Sequence, residues 1–367
     1  MGVVDPTPHQ RKRAPLKKHR WLKRLGWFLL GLVGGGALIG CCSFSGPGHV
    51  GPVTDHFDGD TFHNLEPTEH AGIGNFLKWQ VGREQGAWEM KPDETPGELP
   101  PPRVGAGELR VTFIGHATTL VQQDGQNILT DPVYSDRVTP VNGVGPRRHR
   151  PPGIRFEDLP AIDAVVVSHN HYDHLDLPTL KRLYEAHHPK FFVGLGNAAL
   201  LAAEGIEGVM ELDWWQSAEL GGVRVHSVPA RHFSGRGLCD RDKTLWTGWV
   251  VRGAAGVTYF AGDTGMGQHF AAIRARFGRP RLALLPIGAY LPRWFMSPIH
   301  IDPTQAVEAH QILGATRSVA IHFDTFALAD EAMGQAPKDL AAAREAAGVD
   351  EDAFWVLDFG EGRDVPR

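Results

Sequence analysis

Cysteine is nearly absent from this 367-residue chain, which has three. Cys41 and Cys42 are adjacent near the N-terminus, and Cys239 stands alone in the remainder. A disulfide-stapled scaffold and a thiolate zinc knot are thereby excluded. The same distribution predicts no disulfide within the body, with Cys239 read as a half-buried loop residue or a reactive thiol. Positive charge is also scarce beyond the first residues. Residues 1–24 contain eight Lys or Arg and one acid, Asp5, a net of +7. Totals of 37 basic and 42 acidic residues leave 29 and 41 for the rest, a net of −12. A body of that sign lacks the basic stripe that nucleic acid requires, which weighs against a nuclease. No internal repeat stands out. What is present, 42% hydrophobic and 22% charged with 44 Gly and 27 Pro, is a globular, turn-rich composition.

One long stretch is free of charge, Leu25 to Phe44. Some twenty residues suffice to span a bilayer, although Gly31, Gly34, Gly35, Gly36 and Gly40 dilute its apolar character. A basic region, an apolar region and small residues in that order read as an export signal. Leu38-Ile39-Gly40-Cys41 resembles the bacterial lipoprotein signal, with the lipid on Cys41. An uncleaved membrane anchor over residues 25–44 is the alternative, and a non-targeting hydrophobic segment the third reading. The first two place the body outside the cytoplasm, tethered to the membrane.

The expected organisation has three parts. Residues 1–44 are a basic tail plus signal or anchor, 45–107 a linker and extended arm packing on the core, and 108–367 the functional domain. Pro92, Pro96, Pro100, Pro101 and Pro102 disfavour regular structure in the arm. Phe57, Phe62, Phe76, Trp79 and Trp88 could pack it across the body. From Glu108 the text becomes regular. Leu109 to Phe113 alternates as a strand, and the run from Leu120 to Leu129 is broken at Gln123-Asp124-Gly125. Further strands are read at 164–167, 191–193, 223–225, 256–260, 282–285 and 318–321. Pro178 to His187 has helical spacing, and Asp302 to Leu313 reads as a helix with Asp302 as its N-cap. Strands and helices alternate, so the body is α/β.

The stretch Ser168-His169-Asn170-His171-Tyr172-Asp173-His174 directly follows the apolar run Ala164 to Val167. Four metal-capable side chains within six residues can serve two ions. Two imidazoles two apart can reach one, and the Asp-His pair on the next turn a second. Imidazole and carboxylate suit zinc, iron or manganese. Three further donors lie just past apolar strands: His232, Asp263 and His322. Singly, each reads as an ordinary loop residue or cap. Together with His169 to His174 they complete a two-metal donor set.

These residues, with Phe113-Ile114-Gly115-His116-Ala117-Thr118, Leu129-Thr130-Asp131-Pro132, Ala261 to Gly265, Pro286 to Tyr290, Pro292 to Met296 and His322 through Leu328, resemble the metallo-β-lactamase fold superfamily. The match is to the branch containing N-acylphosphatidylethanolamine-hydrolysing phospholipase D and the ascorbate-6-phosphate lactonase, and is nearer the former. The resemblance spans about residues 108 to 330. It implies a four-layer αββα sandwich. It implies that His169, His171 and His232 hold the first metal, that Asp173, His174 and His322 hold the second, and that Asp263 bridges them. The ions would be two divalent metals, zinc foremost, with manganese or iron as alternatives. His322-Phe323-Asp324 departs from the family, where Trp and Gly follow this His. The absence of a Cys ligand separates the chain from zinc β-lactamases that use one.

Two metals about 3.5–4 Å apart can share a water, lower its pKa and neutralise charge on the attacked group. Asp263, Asp173 and His300 are the candidate catalytic residues. The resemblance sets His300 against the substrate, contacting phosphoryl oxygens or protonating the leaving group. A helix-entry His packing on Trp294 is the other reading. His116 is read as a neighbour of the metals or a structural turn residue. Tyr290, Arg293, Trp294 and Phe295 are read as pocket wall or as an ordinary core loop. The expected activity is phosphodiester hydrolysis of phospholipase D type on an N-acylphosphatidylethanolamine-like lipid. Hydrolysis of a lactone or ester on the same metals is the alternative.

Overall fold

The computed structural model describes residues 1–2, 27, 42, 44–68, 72–92, 94, 96–141 and 143–367. Most of the anchor expected over 25–44 therefore lies outside the described residues. Among the described residues no helix is long and apolar enough to cross a membrane.

The arm lies on the body through its aromatic residues. Phe57 and Phe62, 4.6 Å apart, are buried with Trp214, Leu245 and Trp246. The arm also contains a helix that the sequence reading did not anticipate, α1 (Ile73–Val81). Its Trp79 is buried and stacks on Phe295 at 4.9 Å, whereas Phe76 is exposed. Trp88 is half-buried, and its Nε1 donates to the Glu331 carbonyl at 2.9 Å.

Local chemistry then builds the first sheet. β1 (Leu109–Gly115) pairs antiparallel with β2 (Thr118–Gln123), which pairs antiparallel with β3 (Gln126–Thr130). The hairpin turns at Asp124 and Gly125, whose φ of 52° and 80° match the twist of the flanking strands. β4 (Ala164–Val166), β5 (Lys190–Gly194) and β6 (Met210–Leu212) follow in parallel. Parallel neighbours need crossovers. α2 (Leu177–His187) and α3 (Ala198–Ala203) provide them.

The second sheet begins as an antiparallel run of β7 (Ser217–Leu220), β8 (Val223–Val228), β9 (Gly248–Gly253) and β10 (Gly256–Phe260). It continues in parallel with β11 (Leu282–Pro286), β12 (Arg317–Ile321) and β13 (Phe354–Trp355). The intervening helices are α4 (His269–Phe277), α5 (Arg293–Met296), α6 (Pro303–Leu313) and α7 (Gln335–Ala347). α6 starts at a capping box: Asp302 Oδ1 accepts from Gln305 N at 2.8 Å, and Gln305 Oε1 accepts from Asp302 N at 3.3 Å. β14 (Gly362–Asp364) returns to pair with β1. Among the described residues both sheets have seven strands and are mixed.

The two-residue period of the strands sorts side chains into layers. Val111, Phe113, Val121, Ile128 and Val166 meet Val225, Trp249 and Leu284 between the sheets. Leu120, Leu129, Val165 and Phe191 point the other way, onto Leu180 and Leu183 of α2 and Leu201 of α3. Ala306, Val307 and Leu313 of α6 and Leu340 of α7 belong to the core of the second sheet. Each such fully buried large side chain contributes about 1.5–3 kcal/mol.

One expectation is corrected. Cys42 and Cys239 form a disulfide, with Cα atoms 5.1 Å apart, within the range a disulfide spans. Counting cysteines in the body alone missed it, because the N-terminal segment returns to the body surface. Cys239 is accordingly exposed and bonded, neither half-buried nor a free thiol.

Candidate metal centre

β3, β4, β8, β10 and β12 end on the same side of the sandwich. At those ends stand Asp131, Ser168 to His174, His232, Asp263 and His322. Parallel pairing carries β3 beside β4 and β10 beside β11 and β12, so their carboxyl ends converge. Ligand sites of open α/β sheets sit at such ends.

Asp131, fully buried, fastens the His-rich loop. Its carboxylate accepts from Ser168 N at 2.6 Å and from Ser168 Oγ at 2.5 Å. It also accepts from His174 Nδ1 at 2.6 Å, which turns His174 Nε2 inward. The Ser168 hydroxyl meets His169 Nδ1 at 2.9 Å, leaving Nε2 of that ring free for the centre. His232 is fixed on its other side: Nδ1 lies 3.0 Å from the Ile299 carbonyl, and Asn64 bonds both its backbone N and its O. His169, His174 and His232 thus each have one nitrogen engaged by an orienting partner and one presented inward, as in metal-ligating histidines.

Two groups of donors result. His169 Nε2 and His232 Nε2 lie 2.7 and 3.3 Å from His171 Nδ1. Asp173 Oδ2 lies 3.0 Å from His116 Nε2, 3.3 Å from His174 Nε2 and 3.5 Å from His322 Nε2. Between the groups stands Asp263, whose Oδ2 is 3.1 Å from His174 Nε2, 3.2 Å from His322 Nε2 and 3.9 Å from His232 Nε2. The backbone permits this because Gly262, at φ +60°, passes over Ser168. A Cβ there would stand 2.5 Å from the Ser168 Cβ.

The donor set fits divalent cations. Asp263 Oδ1, His174 Nε2, and both ring nitrogens of His322 are buried without a hydrogen-bond partner. Orphaned buried polar atoms of this kind call for a ligand. Nitrogen and carboxylate oxygen without thiolate suit zinc, manganese or iron.

The electrostatics divide the cluster. Burial pushes His232 and His116 down to about 3 and His171 to about 4, and holds His169 well below its usual value. These rings are neutral and have lone pairs to offer. Burial opposes the charge on His174 and His322 as well, but the carboxylates of Asp263 and Asp173 outweigh it and raise both, His322 to about 9. Asp263 and Asp173 stay ionised despite burial, chiefly through His174.

All seven donors named from the sequence converge here, and so do His116 and His300. His116 takes φ 56°; its carbonyl accepts from His322 N at 2.7 Å while its ring meets Asp173. His300 is buried, with Nδ1 3.9 Å from Asp263 Oδ2 and no hydrogen-bond partner. Its ring neighbours are His232 and His322, at 5.1 and 5.7 Å. The cluster at 290–295 is brought in less directly. Tyr290 donates to Asp339, and Arg293 bonds the His300 carbonyl at 3.0 Å and Gln305 Oε1 at 2.8 Å. Trp294 is 51% exposed. Asp131 and Asn64 had no role in the sequence reading, and the orienting function of Ser168 was also missed.

Residues 126–323 match the family described as the beta-lactamase superfamily domain. The chain is 39% identical over 331 residues to an uncharacterised protein of Mycobacterium tuberculosis, covering 87% of each. It is 40% identical over 268 residues to N-acyl-phosphatidylethanolamine-hydrolyzing phospholipase D 1 of Caenorhabditis elegans, covering 69% of this chain and 75% of that one. Among solved structures it is similar to Igni18, a metallo hydrolase of Ignicoccus hospitalis, with a TM-score of 0.55 at 23% identity, over 71% of this chain and 99% of that one. This last likeness concerns the fold.

Proposed function

Since the chain belongs to the metallo-β-lactamase superfamily and is a metal-dependent hydrolase, we propose that it cleaves phosphodiesters in the manner of a phospholipase D, on lipids of the N-acylphosphatidylethanolamine class. The observation that carries this reading is the place of Asp263 Oδ2 between two donor groups. The identity with the nematode enzyme supports the substrate class.

His169, His171 and His232 would hold one ion, Asp173, His174 and His322 the other, and Asp263 both. Divalent ions held by these residues would supply acidification of a water and neutralisation of charge on phosphoryl oxygens. The reaction adds the water oxygen to phosphorus and breaks the bond to the alcohol oxygen, which leaves with a proton. The chain supplies no side-chain nucleophile. Buried His171 and His232 remain neutral and have lone pairs ready near neutral pH, whereas His174 and His322, raised by Asp263 and Asp173, would give up a proton to an ion. His300, which burial pushes down to about 3, is a neutral ring too. It has an N–H to donate and no surplus proton, which favours a hydrogen bond to a phosphoryl oxygen over protonation of the leaving group. Arg293 bonds the His300 carbonyl and so fixes the backbone that carries this ring.

The body is further proposed to be exported and membrane-anchored, by lipid on Cys41 or by residues 25–44. The test is to purify the protein, measure bound metal by mass spectrometry, and compare turnover of N-acylphosphatidylethanolamine with that of lactones and esters by product mass. Phosphatidic acid and N-acylethanolamine are the expected products. Faster lactone or ester hydrolysis with no phosphodiester turnover would replace this reading by carbon–oxygen bond hydrolysis on the same donors.

A further inference from the structure

An ion can satisfy only one nitrogen of an imidazole. His322 buries both of its ring nitrogens without a hydrogen-bond partner. Nε2 faces the centre, 3.2 Å from Asp263 Oδ2 and 3.5 Å from Asp173 Oδ2. With an ion at Nε2 the ring hydrogen sits on Nδ1, and a buried N–H needs an acceptor. His169, His174 and His232 meet this need with the Ser168 hydroxyl, the Asp131 carboxylate and the Ile299 carbonyl. His322 is buried like them, and no described residue bonds its Nδ1.

His322 also lines a small cavity of about 10 Å³. A single water needs roughly 10–15 Å³ and at least two polar partners. Glu331 lines the same cavity. Its carboxylate is buried and accepts from Ala289 N at 2.5 Å and from Leu291 N at 3.3 Å. A carboxylate has about four lone-pair sites, so about two are left over. Burial raises the pKa of Glu331, and the charge of His322 is among the influences that pull it back, so the two groups are within electrostatic reach. Asp324, another polar residue of the wall, is engaged elsewhere. Its Oδ1 accepts from Gly334 N at 2.7 Å, and the cations that act on it are Arg150 and Lys91.

Trp88, Phe326 and Ala336 add apolar wall. The arm fastens over this region: Trp88 Nε1 donates to the Glu331 carbonyl at 2.9 Å, and Met333 N donates to the Ala87 carbonyl at 3.1 Å. Apolar surroundings offer a water no bonds of their own, so the polar groups decide how it is oriented. We propose that one water in this cavity accepts from His322 Nδ1 and donates to the Glu331 carboxylate, which makes Glu331 a positioning residue of the metal centre.

The bridge gives His322 the outer hold that Asp131 gives His174. It keeps the ring hydrogen on Nδ1, leaves the Nε2 lone pair facing Asp173 and Asp263, and strengthens that nitrogen as a donor. The same carboxylate fixes the backbone at Ala289 and Leu291, on the way to Arg293 and His300. The proposal rests on His322 as a metal ligand, as in the reading above, and is independent of which substrate is cleaved.

The test crystallises the full chain in detergent, with and without zinc, to a resolution that shows ordered water. A water within hydrogen-bond distance of both His322 Nδ1 and a Glu331 carboxylate oxygen is expected. Zinc affinity, read by competition with a chromophoric chelator, should fall about tenfold for one ion in Glu331→Gln. Ala336→Val fills the cavity and expels the water while Glu331 keeps its backbone partners, and it should cost about tenfold as well. Because both changes act through one water, the double variant should also lose about tenfold, whereas a Glu331 that only holds the loop would make the losses multiply to about a hundredfold. Circular dichroism verifies that each variant is folded. A cavity without that water, a water bonded to Asp324 and not to Glu331, wild-type affinity in either single variant, or multiplied losses in the double variant overturns the proposal. If the bridge is seen and no form of the protein binds zinc, the hold on His322 stands and the metal reading fails.

Discussion

Asp131 Oδ2 lies 2.6 Å from His174 Nδ1, and both side chains are fully buried. The carboxylate fixes which nitrogen of His174 carries the proton and makes the other a stronger donor. Asp131→Asn removes that charge with little change of shape. Metal affinity should fall about 10–100-fold, as read by competition with a chromophoric chelator. Unaltered affinity would reduce Asp131 to a support for the loop backbone through Ser168.

Asp263 touches both donor groups and His171 only one, so their loss should differ in stoichiometry. Asp263→Ala should lower bound metal in both groups, and His171→Ala chiefly in the first. Both variants should lose turnover by about a thousandfold or more, given what two-metal stabilisation contributes. Metal stripped from the wild type by chelation should do the same, with recovery on adding zinc or manganese. Full turnover in a verified metal-free sample would remove the metal-dependent mechanism.

Gly262→Ala tests the close passage of backbone over the motif. The new Cβ would meet the Ser168 Cβ at 2.5 Å, in a left-handed conformation that itself costs ~1–2 kcal/mol. Ser168 must shift, and His169 and Asp131 with it. Thermal unfolding should move to lower temperature and bound metal should drop, both measurable on one preparation. A variant with wild-type metal content and melting temperature would show that the loop yields without disturbing the donors.

The arm should respond to pH. Burial alone would lower the pKa of His56, but Asp213 and Asp55, at 2.7 and 2.6 Å, outweigh it and raise the value above 6.5. The folded chain therefore holds this proton more tightly than the unfolded one. The resulting stabilisation is complete below pH ~6.5 and is lost as pH rises through the raised value. The stability difference between wild type and His56→Gln, from urea unfolding, should be largest near pH 5.5 and shrink in alkali. A difference constant from pH 5.5 to 9 would contradict the buried ion pair.

The motif at His169 to His174 was legible because four donors share one loop, and His232, Asp263 and His322 because each follows an apolar strand. Asp131 was not, although it lay within a stretch quoted for the family resemblance. Its partner in space is set by the pairing of β3 with β4, which one strand alone does not declare. Tyr290 and Arg293 read equally as pocket wall and as core loop. The structure turns both inward, to Asp339 and to Gln305, leaving Trp294 at the surface. The hairpin at Asp124-Gly125 and the cap at Asp302 were legible since each is settled within four residues. The helix at Ile73–Val81 was not, because it borrows its buried face from Phe295 and Met296, more than two hundred residues away. The disulfide was hidden for the same reason.

The donors divide by origin: His169, His171, Asp173 and His174 hang from one sheet, and His232, Asp263 and His322 from the other. Ions bound among them would stitch a seam. Neither half of the sandwich alone offers a complete set, so tight binding waits for the halves to close and then opposes their parting. By mass action, occupancy at a hundred times the dissociation constant adds about 2.7 kcal/mol for one site. The resistance of this protein to heat should therefore follow the cation supply around it, and a chelator should act on it as a denaturant would.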